Sequence, residues 1–216
     1  MLKGKTIKTI FKDSGIIFIY LLVTMIFAFA IEQIDTENVS ILRFVLGLVN
    51  MGVFIAVLGV YYYAYGRQAS KIKHTNDIAR RYFLETGEYR ELKVEKEYNL
   101  LKPFLMAFIT CIPLIIFIAI YGVVDLTKTI DSGLGANAFI SAVMVVLTLY
   151  RGVLVPIRGL AVEVSIYWSL LYIPIVIGTV MLFYYLGHLR SQRDLKQIKK
   201  THEEIYGKES GKNKWE

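Results

Sequence analysis

The chain has 216 residues, of which 55% are hydrophobic, and a formal net charge of +7. With a mean hydropathy of +0.49, that composition excludes an ordinary soluble domain. One cysteine, Cys111, excludes an intrachain disulfide and a cysteine-rich metal site.

Four stretches, 15–34, 41–65, 103–124 and 164–187, are long enough and apolar enough to cross a bilayer. A hydrocarbon core needs about 20 helical residues, and a helix satisfies every backbone amide within its own segment. The alternating strands of a membrane barrel are absent. The expected fold is all-α: a polytopic helical membrane protein with four transmembrane helices plus one re-entrant or interfacial segment. Five transmembrane helices are the alternative. Residues 1–187 read as one transmembrane domain that includes a cytoplasmic helical loop at 66–102. Residues 188–216 read as a charged cytoplasmic tail, disordered from about 207.

In chain order, Lys3, Lys5, Lys8 and Lys12 precede the first span. Ala28-Phe29-Ala30 mimics a signal-peptide cleavage site, but the apolar run continues to Ile34, so a retained span is expected. The connection 32–40 carries Glu32, Asp35 and Glu37 and no basic residue. The second span holds Gly47, Asn50, Gly52 and Gly59 and ends in Tyr61, Tyr62, Tyr63 and Tyr65, an expected aromatic belt. Gly52 and Gly59, seven apart, suggest a smooth packing face without a GxxxG pair, and Asn50 suggests an interhelical hydrogen bond worth about 1 kcal/mol.

In the loop 66–102, Ile72, Ala79, Tyr82 and Phe83 recur at helical spacing, as do Leu92, Tyr98 and Leu101. Two short amphipathic helices separated by a turn at Gly87 are expected. Their apolar faces need cover, which makes Tyr82, Phe83 and Tyr98 candidate partner-docking residues. Pro103 opens the third span. Pro113 should kink that span, with Thr110 bonding the freed carbonyl.

Residues 138–157 are interrupted by Arg151 and Gly152 and end beyond Pro156, with Gly133, Gly135 and Gly159 nearby. A fifth span there would move the basic tail to the other side, so a re-entrant path is expected. Arg151 and Arg158 share a helical face and Glu163 can pair with either. The three are candidate lipid or solute contacts, against the plainer reading that both arginines snorkel to headgroups. The last span has Tyr167 and Trp168 at one end and Tyr184 and Tyr185 at the other, with Pro174 and Gly178 expected to bend it. Leu195, Ile198 and Ile205 suggest that the helix continues into the tail.

Basic residues number four before the first span, nine in the loop and eight after the last span, or 21 of 25. That asymmetry places both termini in the cytoplasm of a multi-pass cell-membrane protein. The accompanying acidic residues make these surfaces mixed, so bilayer headgroups rather than nucleic acid are the expected partner.

Chemical signatures are negative. His202-Glu203-Glu204-Ile205-Tyr206 lacks the second histidine of a zinc protease motif, Ser132-Gly133-Leu134-Gly135 is not a nucleophile elbow, and no phosphate loop occurs. Asp125 and Asp131 sit together by one connection, and His74 and His188 read as interfacial and solvated. No catalytic, cofactor or metal residue is expected. The leading expectation is a non-enzymatic accessory, scaffold or assembly component that docks another membrane or cytoplasmic protein, or a second copy of itself, through its loop and tail. The alternative is a small transporter or lipid-handling protein using the 151–163 region.

Overall fold

The computed structural model describes residues 4–32, 40–89, 91–127, 141–147, 150, 152–154 and 166–206. Four helices are long and apolar enough to cross a bilayer, and the described residues hold no strand, which makes this an all-α polytopic membrane protein. They are α1 (Gly4–Glu32), α2 (Ser40–Thr86), α3 (Leu101–Thr127) and α4 (Tyr172–Tyr206). Short 3-10 turns lie at Val94–Lys96, Gly152–Leu154 and Ile166–Leu171.

Helix α2 has 47 residues and is about 70 Å long at 1.5 Å per residue, more than twice the hydrocarbon thickness. The first of the two expected loop helices is therefore the continuation of the second span. It stops at Gly87, whose φ of 73° is the left-handed region open to glycine. The Gly87 amide donates to Phe83 O at 2.8 Å, closing the helix end. The second expected helix is only the turn Val94–Lys96. Amides on either side of it bond across to α2 instead: Lys93 N donates to Asn76 Oδ1 at 3.3 Å, and Tyr98 N to Ala69 O at 3.1 Å. Asn99 Oδ1 then accepts from Leu101 N at 2.9 Å and starts α3.

Helices α2 and α4 run parallel, because contact partners rise together along both. Phe54 meets Tyr172, Gly66 meets the Tyr184 backbone, and Arg67 meets Asp194. Helix α4 has 35 residues, so both helices outrun the bilayer on the same side. A Cβ added at Gly66 would overlap Tyr184 O, and one at Gly187 would overlap Tyr63 O, so two glycines allow the backbones to touch. Of the expected glycine pair, Gly59 meets the Phe183 ring, but Gly52 faces open space.

Helix α1 buries Ile10, Ser14, Ile17, Leu21, Thr24 and Ala28, a seam of alternating fours and threes. It packs on α2, α3 and Gly152–Leu154. Asn50 Nδ2 donates to Thr24 O at 3.2 Å, the expected interhelical bond. Pro113 lies inside α3 as expected, but the Thr110 hydroxyl donates to Ala107 O at 2.6 Å. A different group reaches the backbone near Pro113: the Tyr150 hydroxyl donates to Thr110 O at 3.0 Å. Pro174 sits in the first turn of α4 and starts the helix, where a missing N–H costs nothing, instead of bending its middle.

Stretch 141–147 is helical, and Tyr150, Val153 and Leu154 are buried. The remainder of 138–157 is outside the described residues, and so is the choice between a re-entrant and a spanning path.

Candidate functional site

The side of the molecule where α2 and α4 outrun the bilayer carries most of the described polar contacts. Here the segment after Gly87 turns back and is clasped against the helix pair. Asn76, 4% exposed, uses both ends of its amide: it accepts from Lys93 N and donates from Nδ2 to Glu97 Oε1 at 2.7 Å. Arg80 bridges Glu97 at 2.6 Å and Asp77 at 2.8 Å. Lys102 is buried, and its ammonium donates to the carbonyls of Glu97 at 2.7 Å, Glu95 at 2.8 Å and Val94 at 3.5 Å. The clasp thus ties the loop to α2 and to the first turn of α3 at once.

At its base lies an aromatic stack. The Tyr98 ring lies between Tyr184 (centroids 5.0 Å apart, 6° between planes) and His188 (3.9 Å, 15°). Asn99 N donates to the Tyr184 hydroxyl at 3.3 Å, and His188 Nδ1 shares a hydrogen bond with Ser70 Oγ at 3.0 Å. Tyr62 and Tyr184 are 0% exposed. The tyrosines expected to form an interfacial aromatic belt are in part an interior cluster, and His188, expected to be solvated, is half-buried against it.

A serine beside an imidazole is the pairing a nucleophilic enzyme uses. Ser70, however, is 1% exposed, and the Tyr98 ring stacks on the imidazole. Among the described residues, no three His, Cys, Asp or Glu side chains gather as metal ligands.

Beyond the end of the last span, burial and the nearby Lys73 hold the His188 imidazole below its ordinary value of 6.5. The folded state therefore prefers the neutral ring. The stability this contributes is complete above pH 6.5 and is lost as pH falls from there through the lowered folded value. Thermal stability of the purified protein should drop as pH falls below 6.5, and a His188→Gln variant should show a shallower drop. Equal pH profiles would remove His188 as the cause.

The three candidate docking residues do not share one surface. Tyr98 belongs to the stack. Tyr82 and Phe83 lie at the far end of α2, about 20 Å along the helix from Ala69, the residue that Tyr98 touches. There the Tyr82 hydroxyl donates to Glu88 Oε2 at 2.8 Å, and the Phe83 ring meets Tyr89 edge-on at 6.5 Å. Two residues the sequence pattern passes over are the most exposed apolar groups at this tip: Leu84 at 82% and Tyr89 at 76%. On the parallel helix, Ile198 and Ile205 are also exposed. Arg151, Arg158 and Glu163 are outside the described residues. No family model, curated protein or solved structure matches this chain.

Proposed function

We propose that this chain is a non-enzymatic accessory or scaffold protein of the cell membrane, with cytoplasmic termini, that offers the end of its two-helix stalk to a partner protein. One observation carries the reading: two parallel helices run on together beyond the length a bilayer needs, with Phe83 and Leu84 exposed on one, Tyr89 exposed just past its end, and Ile205 exposed on the other. A water-exposed cluster of large apolar and aromatic side chains fits a binding surface better than a lone solvated helix end. The charge asymmetry supports the cytoplasmic orientation.

The orientation is tested in a Cys111→Ser background with Ala136→Cys and Ser210→Cys added singly. Position 136 should react with an impermeant thiol reagent from outside intact cells, and position 210 only after lysis. Labelling of 210 from outside would reverse the topology.

Docking is tested by placing a photo-crosslinking residue at Leu84, Tyr89 or Gln192 in native membranes. Discrete adducts are expected from the first two and not from Gln192, which lies on the stalk's flank. Phe83→Glu with Leu84→Glu should abolish them while insertion is unchanged. Absence of any adduct at the tip defeats the docking reading. The transporter or lipid-handling alternative places function at Arg151, Arg158 and Glu163. It predicts that Arg151→Ala or Glu163→Gln abolishes flux while tip substitutions do nothing.

A further inference from the structure

On α4, Tyr184, Gly187, His188 and Asp194 each touch α2, and Ser191 among them is 0% exposed. The same face runs on past these contacts. Ser191, Leu195, Ile198, His202 and Ile205 follow in steps of four, three, four and three, the spacing of a seam that packs on another helix. Cover is nevertheless lost along it: Leu195 is half-buried, whereas Ile198 is 65% exposed and Ile205 66%. The two isoleucines lie about 39 and 50 Å along α4, past a hydrocarbon core of about 30 Å, so lipid does not cover them either. The outer part of the seam thus continues an existing interface without the helix that covers its inner part.

The bilayer and the charges beside the seam point to what covers it. Two copies in one membrane share an orientation, so their α4 helices meet side by side and parallel. In a parallel pair, the residue just before a seam position faces the residue five places further along the other helix. Asp194 precedes Leu195, and five places on is Lys199, which is exposed. Each copy's carboxylate therefore meets the other's ammonium, and the two-fold symmetry makes the pair twice. Asp194 already accepts from Arg67 and Arg190, but its two oxygens have room for a further donor. By the same spacing Arg193, Lys196 and Lys200 lie on the opposite face of the helix, so like charges do not meet across the seam.

Two heptads are too short for an isolated coil in water. Here each helix is already formed as the continuation of a span, and the bilayer concentrates and aligns the copies, so both costs are reduced. We propose that two copies of this chain pair through the 195–205 stretch of α4 as a parallel two-helix seam, with Asp194 of each copy against Lys199 of the other. The pairing does not use Phe83, Leu84 or Tyr89, so it stands or falls independently of docking at the α2 tip.

The test uses the full chain with Cys111→Ser and one new cysteine, in native membranes at low expression. Under mild oxidation, Ile198→Cys and Ile205→Cys should form disulfide-linked dimers of the chain on the order of tenfold faster than Lys196→Cys and Lys200→Cys on the opposite face. Adding Lys199→Glu to Ile198→Cys sets two carboxylates against each other and should cut the yield several-fold. Adding Lys196→Glu, the same charge change on the other face, should leave it as it was. Equal rates at the four positions overturn the proposal, and so do adducts of Ile198→Cys and Ile205→Cys with a different protein. A Lys199→Glu yield equal to that of Lys196→Glu overturns it as well, because the choice of a second copy rests on that charge pair.

Discussion

Gly66→Ala is expected to push α2 off α4 and to cost about 3 kcal/mol, the upper part of the range for overpacking a well-packed site. The added methyl would meet the Tyr184 carbonyl oxygen, a backbone group that a rotamer change cannot move. Gly187→Ala should behave alike, because it meets Tyr63 O and Arg67 N. Gly52→Ala and Gly178→Ala are the controls. Neither Cβ finds an atom within 4 Å, so the helix propensity of alanine should make these neutral or stabilising by up to about 1 kcal/mol. Melting of the detergent-solubilised protein, followed by the monodisperse peak on size exclusion, separates the two classes. A Gly66→Ala protein that melts with Gly52→Ala would show that the helices do not touch here.

The second large effect is expected at Lys102. Lys102→Met keeps the aliphatic stem and removes the ammonium that joins the carbonyls of Val94, Glu95 and Glu97. Hydrogen bonds to a charged group are worth about 1.5–3 kcal/mol each, and they are not additive. Relief from desolvating the ammonium offsets part of the loss. A net cost of about 2–3 kcal/mol should fall on the clasp rather than on the whole fold, because the bonded carbonyls all belong to the returning loop. Chymotrypsin should cut after Tyr98 much faster in Lys102→Met than in wild type, while Lys93→Met, an exposed side chain, changes nothing. Equal cutting rates would mean that the aromatic stack holds the loop without the lysine. The surface pair Arg67–Asp194, at 2.8 Å with Arg67 44% exposed, is expected to contribute well under 1 kcal/mol.

These two sites show why the sequence reveals spans more readily than faces. In a soluble helix the polar side and the apolar side differ, and the buried stripe can be read from the pattern. In a bilayer both sides are apolar. Ile19, Leu22, Val23 and Ile26 of α1 are exposed, whereas Ile17 and Leu21 are buried, and residue type does not tell the two sets apart. What does mark the inner face is small or hydroxyl-bearing residues: Ser14, Thr24 and Ala28 on α1, Gly66, Ala69 and Ser70 on α2, Gly187 and Ser191 on α4. Their spacing was legible for Gly59 and missed for Gly66, which reads as the start of a loop once the span is taken to end at Tyr65.

The stalk was only partly legible for the same reason. Apolar spacing in 72–83 indicated a helix, but nothing local states that it joins the span without a break. Leu92, Tyr98 and Leu101 carried helical spacing too, yet before α3 only the turn Val94–Lys96 forms, because Ala69 O and Asn76 on α2 take the amide hydrogens on either side of it. Long-range partners outcompeted a weak local preference.

By itself the sequence determined four apolar segments, their helical state and the side on which charge collects. Each follows from local chemistry: twenty apolar residues must become helix in a bilayer. Tertiary structure alone decided that α2 and α4 run on together past the membrane, that Tyr98 is locked between Tyr184 and His188, and that Leu84 and Tyr89 are left uncovered. Those outcomes depend on which backbones two glycines allow to meet and on where one buried lysine gathers three carbonyls. The first is not visible until residues more than a hundred positions apart are brought into contact, and the second until the loop folds back over Lys102.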